Sequence, residues 1–178
     1  MAEYSATSRI ASAHLVACVE ETMQVATLRY LTRDGAFADA VRTATGMPLP
    51  AVLEAREEGQ LILAWRSPTE TLCVTRSAAR LAELGARLAA CPEGSMVELT
   101  GGLQIVRLTG VRTADLLCRL GGTASVPTPG EARRSRLADV PVLALSVRTG
   151  ETLLLVDRAY LPHVLEWIRE TLLEFEGN

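Results

Sequence analysis

Apolar and polar positions along the chain change period several times, and each change marks an element. Between Val97 and Leu108 they alternate: Val97 and Leu99, then Leu103, Ile105, Val106 and Leu108, with Gly101-Gly102 between them as a two-residue hairpin signal. From Thr113 the period lengthens to about 3.6. Ala114, Leu117, Cys118, Leu116 and Leu120 then load one side of a short helix, which Thr109-Gly110 precedes and Gly121-Gly122 ends. The central unit predicted is therefore hairpin, glycine corner, helix.

The same reading extends to both sides. Residues 24–31 (QVATLRYL) predict a strand, and residues 36–45 a helix with Phe37, Ala40, Val41 and Ala44 on its apolar side and Gly46 as its end. Met47–Pro50 reads as an extended linker. Leu61–Arg66 and Thr71–Thr75 form a hairpin across Ser67–Glu70, followed by a helix over 77–90 with Ser77 as N-cap and a stripe of Leu81, Leu84 and Leu88. Residues 121–134 are the longest irregular stretch. Strands over 137–148 and 152–156 follow, then a helix over 160–175 with the stripe Leu161, Val164, Leu165, Ile168, Leu172 and Phe175.

The order is β-α-β-β-α-β, then β-α-β-β-α. It predicts an α+β protein of two ferredoxin-like βαββαβ-type halves, with mainly antiparallel sheets and helices on their faces. The chain, 1–178, reads as one domain with lobes at about 24–100 and 101–176 and an N-terminal arm over 1–23.

Composition narrows the function. With 178 residues and 48% hydrophobic content, the chain is long enough to bury a sizeable core. A mean hydropathy of +0.19 favours a chain that covers part of its surface with a partner. All 18 basic residues are Arg, so Schiff-base, general-base and P-loop lysines are excluded. A net charge of −3 argues against nucleic acid. No apolar run approaches the roughly 20 residues of a membrane-spanning helix.

Cys18, Cys73, Cys91 and Cys118 are too widely spaced for a zinc site or a disulfide framework, even with His14 and His163, and point to reduced thiols in the cytoplasm. Leu15-Val16-Ala17-Cys18 imitates a lipoprotein cleavage box. Its apolar stretch is short, broken by His14 and followed by Glu20-Glu21, so it reads as part of the chain.

No nucleophile–base pair, paired catalytic carboxylates, metal cluster or phosphate-cradling loop emerges, and no catalytic, cofactor or metal residue is assigned. Arg133, Arg134 and Arg136 are the densest basic cluster, read as a solvated loop or an interface contact. Trp65 and Trp167 read as core packing, with interface anchoring as the alternative. Asp115 reads as a first-turn carboxylate offsetting its helix dipole, His163 as a surface or packed histidine, Asp157 as a cap, and Cys118 as a buried small hydrophobe. The candidate subunit-interface residues are Trp65, Arg66, Arg133, Arg134, Arg136 and Arg158.

Five segments in order resemble one family. The strand ending Leu108-Thr109-Gly110, followed by Val111 and Arg-Thr-Ala-Asp-Leu-Leu, resembles the "leucine, Ser/Thr, Gly, Pro, Asp-Ala" signature of the glycine-cleavage T-protein fold, with Val111 at the proline position. FADAVRTATGMPLP (37–50), AWRSPTETLCV (64–74), RRSRLADVPVLAL (133–145) and LLLVDRAYLPHVLEWI (153–168) are similar to segments of the gamma subunit of heterotetrameric sarcosine oxidase, which has that fold. In the second of these, Ser67, Thr69 and Thr71 replace the family's Gly, Asp and aromatic residue, and in the first a proline falls one residue early, at Pro48.

The resemblance implies a non-catalytic structural subunit of a bacterial complex that oxidises sarcosine or a related N-methyl amino acid, in amine catabolism. Its partners would be alpha, beta and delta subunits holding FAD, FMN, NAD, zinc and tetrahydrofolate, with none bound by this chain. In isolation it could form a homo-oligomer. Two other readings stand beside it: a stand-alone folate- or pterin-binding protein or aminomethyl-transfer enzyme of the same fold, and a self-assembling interaction module.

Overall fold

The computed structural model describes residues 9–176. The chain runs β1 (Arg9–Ala11), β2 (Val16–Val19), β3 (Gln24–Tyr30), α1 (Ala36–Thr45), β4 (Ala55–Glu58), β5 (Leu61–Ser67), β6 (Glu70–Thr75), α2 (Ala78–Leu88), β7 (Gly94–Glu98), β8 (Leu103–Thr109), α3 (Thr113–Gly121), β9 (Glu131–Leu137), β10 (Val140–Arg148), β11 (Glu151–Asp157) and α4 (Leu161–Glu176). Single 3-10 turns lie at Thr123–Ser125 and Arg158–Tyr160. It is an α+β fold of two antiparallel sheets, divided into two compact units.

The first unit comprises Thr22–Thr100 and Gly130–Ala132. Its sheet runs β4-β5-β6-β3-β7, so apart from the edge strand β4 the order is that of a ferredoxin-like βαββαβ unit. Helices α1 and α2 cover one face. Phe37, Val41, Leu81, Leu84 and Leu88 pack there against Leu28, Leu61, Leu63 and Cys73. Gly46, at φ +79°, ends α1 as the sequence predicts, and Ser77 Oγ accepts the Arg80 N–H at 3.2 Å to cap α2. The start of α1 is held from a distance: Glu93 Oε2 accepts the Ala36 N–H at 2.8 Å.

The opposite face carries Val25, Ile62, Ala64, Leu72 and Val74, also buried. Burial on both faces explains why LILA and TLCV are continuous apolar runs and not alternating ones.

The other unit repeats the pattern with a substitution. Its sheet runs β1-β2-β8-β11-β10-β9, and α3 and α4 bury Leu116, Leu117, Val164, Leu165, Ile168 and Leu172 against Val106, Leu108, Val142 and Leu154. The position that β7 fills beside β3 is filled here beside β8 by β2, from the chain's beginning.

Four expectations are corrected. Residues 9–11 and 16–19 of the expected arm are strands, because Leu15 and Ala17 belong to the core beside Val106 and Leu108; Met1–Ser8 lie outside the described residues. The hairpin across Gly101-Gly102 does not form. Val97 pairs with Thr27, and Leu99 N–H donates to Val25 O at 2.8 Å, whereas β8 pairs with β2 and β11. Strand β4, with the polar sequence AREE, is present without a hydrophobic signal because it needs only one partner, β5. Arg133 to Arg136 lie on strand β9 and not in a loop. Ala138 and Asp139, both at positive φ, close the β9–β10 connection, as a primed hairpin turn requires.

Candidate interaction surface

The six candidate interface residues fall in three places. Trp65 and Arg66 sit together near the end of β5, both half-buried; Arg66 Nε lies 3.7 Å from Glu70 Oε2, and Arg29 Nε lies 2.9 Å from Glu70 Oε1. Arg134 and Arg136 are exposed on β9, with Arg133 half-buried between them and the strand start. Arg136 donates to the Asp139 carbonyl across the turn. Arg158 is exposed in the 3-10 turn before α4, where Asp157 Oδ1 accepts the Ala159 N–H at 2.9 Å, the expected cap.

The remaining singled-out residues resolve similarly. Asp115 pairs with Arg112 at 3.2 Å in the first turn of α3. Ala114 is exposed, and Cys118 is only partly buried. Trp167 is 44% exposed, which overturns the core-packing reading. It lies off the buried stripe of α4, edge-on to the exposed His163, whose Nε2 lies 3.1 Å from Ala138 O.

Two arrangements had no place in the sequence reading. The first is a turn built on Arg33 and Glu54. Arg33 Nη2 donates to the carbonyls of Leu49 (3.4 Å) and Pro50. Glu54 Oε2 accepts the Ala51 N–H at 2.6 Å, Glu54 N–H donates to Ala51 O at 3.0 Å, and Arg56 Nε lies 2.7 Å from Glu54 Oε1. Burial pushes the Glu54 carboxyl up, but the Ala51 N–H, Arg56 and Arg33 outweigh it and leave the group below its ordinary range.

Between Ala51 and Glu54, Leu53 has φ +62°, and its carbonyl accepts the Ala132 N–H at 2.9 Å. Val52 is 66% and Leu53 38% exposed. The one sequence signal was an apolar pair just after two prolines, Pro48 and Pro50.

The second arrangement is an ion triad. Arg107, on β8, reaches Glu20 Oε1 with Nε and Glu151 Oε2 with Nη1, each at 2.6 Å, with all three side chains largely buried. Burial alone would lower the Arg107 pKa; the two carboxylates raise it. A lone charge in the apolar strand LQIVRLT was its signal. The triad, with one cation between two carboxylates, ties the end of β2 and the start of β11 to β8.

Clefts in the first unit include one of about 400 Å³ lined by Arg80, Glu83 and Arg87 with Ala44, Thr45, Leu61 and Leu84, and a more open one of about 570 Å³ lined by Arg29, Glu70 and Glu93 with Tyr30, Leu31 and Pro92. Among the described residues no three His, Cys, Asp or Glu side chains converge as metal ligands, and no helix is long and apolar enough to cross a membrane. The four cysteines are unpaired, and burial pushes the Cys73 thiol up to about 12, far from a reactive thiolate.

No protein-family model matches the sequence, and no curated protein is similar to it by sequence. Solved structures are similar in shape. A chain of heterotetrameric sarcosine oxidase from Corynebacterium sp. U-96, in complex with pyrrole 2-carboxylate, superposes with a TM-score of 0.82 at 22% identity, over 94% of this chain and 88% of that one. The two share one fold. The glycine cleavage system aminomethyltransferase T from Bartonella henselae also matches, with a TM-score of 0.66 at 16% identity, over 88% of this chain but only 45% of that one. The likeness to the sarcosine oxidase chain is thus end to end, and the likeness to aminomethyltransferase T covers less than half of that protein.

Proposed function

We propose that this chain is a non-catalytic structural subunit of a bacterial, cytoplasmic heterotetrameric oxidase that acts on sarcosine or a related N-methyl amino acid. The observation that carries the reading is the end-to-end match, at a TM-score of 0.82, to a chain of a multi-subunit oxidase. The sequence adds five family-like segments in register between Phe37 and Ile168. In this reading alpha, beta and delta partner chains hold FAD, FMN, NAD, zinc and tetrahydrofolate, and this chain contributes surface. The exposed arginines of β9, Arg158 and the end of β5 are the candidate contacts.

The fold shared with aminomethyltransferase T supports a second reading, a stand-alone folate- or pterin-binding protein. Against it, this chain spans 45% of that protein. Co-expression of the candidate partner chains from the same genome, with and without this chain, followed by sarcosine oxidation and a folate titration, separates the two. A structural subunit raises the yield of active complex and ignores folate. A folate binder shifts its own Tm with tetrahydrofolate and leaves oxidase yield unchanged.

A further inference from the structure

Two hydrogen-bond donors, Arg33 Nη1 and the Trp65 indole Nε1, are shut off from solvent without an acceptor. Neither nitrogen can itself accept a hydrogen bond, so only an acceptor satisfies them, and a buried donor left bare costs stability. Both residues are held against the turn Ala51–Glu54. Trp65, on β5, donates its backbone N–H to Glu54 O at 2.9 Å, next to the β4–β5 pair Ala55 and Ala64. Arg33, in the β3–α1 connection, places Nη2 on the Leu49 and Pro50 carbonyls, and its charge acts on the Glu54 carboxyl. On its other side Trp65 pairs in register with Thr71 of β6, whose Oγ1 lies 3.0 Å from the buried Tyr30 hydroxyl.

The acceptors of this cluster are already engaged. Glu54 Oε2 takes the Ala51 N–H at 2.6 Å, Glu54 Oε1 faces Arg56 Nε at 2.7 Å, and the Thr71 and Tyr30 hydroxyls bond each other. Arg33 hydrogen-bonds to carbonyls alone and has no ion-pair partner among the described residues. We propose that a small monovalent anion of the halide class, such as chloride, binds here, accepting from Arg33 Nη1 and Trp65 Nε1 and balancing the guanidinium. A water molecule would accept the same two bonds, but it would bring two more hydrogens into a cluster already in surplus of donors, and it has no charge to set against Arg33. Bound there, the anion ties the β3–α1 connection to β5 through a group that neither segment supplies. The proposal is independent of the structural-subunit reading, since it concerns the interior of the first unit.

The test uses the full chain in gluconate buffer, with chloride or bromide added at constant ionic strength. Chloride at about ten times its fitted Kd should raise Tm by about 4 °C, and the rise should saturate. Trp65→Phe keeps an aromatic ring and removes the donor, and should lose about half or more of that rise. Crystals grown with bromide should show an anomalous peak within hydrogen-bond distance of both Arg33 Nη1 and Trp65 Nε1. A rise that does not saturate, or an equal rise in Trp65→Phe, overturns the proposal. So does a map in which the two donors hold a water molecule, or in which bromide sits elsewhere as an adventitious ion only. If Trp65→Phe fails to fold, the wild-type saturation curve and bromide map decide alone.

Discussion

Gly110 sits at the corner where β8 turns into α3, with φ +129°, and a Cβ there would lie 2.2 Å from the His14 carbonyl oxygen. Neither the dihedral nor the contact tolerates another residue, because the obstacle is backbone. Gly110→Ala should cost about 3 kcal/mol, read as a fall in denaturation midpoint with unchanged slope; a midpoint equal to wild type would contradict the geometry. Glu54 makes a prediction of opposite kind, a dependence on pH. Its carboxyl is held below the ordinary 4.5, so its stabilisation is present above that value and is lost as pH falls through the lower folded one. Wild type should therefore lose stability more steeply than Glu54→Gln below pH 4.5. Parallel acid curves would show that the carboxylate does not hold the turn.

Elements were legible where one local rule was enough. Helix α1 ends at Gly46 and α2 begins after Ser77 as their residues dictate, and α4 buries the stripe its period defines. The same stripe leaves Trp167 outside, which residue type alone had placed in the core. Pairing was not legible where the partner is distant in sequence. Gly101-Gly102 carries hairpin chemistry, yet its flanking strands find better neighbours in β3 and in β2 with β11. The short β1 and β2 look like an arm because their apolar residues make sense only beside Leu108 and Val106. The Arg33 turn was hidden for the same reason, since nothing local obliges Leu53 to adopt positive φ. If β2 completes its sheet, a chain lacking residues 1–21 should lose one of the two strands that flank β8 and the Leu15 and Ala17 packing. Its Tm should fall by about 10 °C or more, or the protein should become insoluble. Wild-type melting of the shortened chain would reduce β1 and β2 to an ornament.

At the scale of the whole molecule, both sheets carry buried apolar residues on both faces; the Arg107 ion triad is largely buried, and clefts of mixed charged and apolar lining and the exposed apolar turn at Val52-Leu53 belong to the first unit. The likeness to a sarcosine oxidase chain, at 22% identity, is one of fold, and the structural-subunit reading proposed on it turns on whether the chain assembles with partners. The most direct measurement is the mass of the co-expressed complex by size exclusion with light scattering, with and without this chain. The chain should co-elute in a single complex with the candidate alpha, beta and delta chains, and that complex should lose integrity when it is left out. A chain that elutes alone while those chains assemble without it would overturn the structural-subunit proposal.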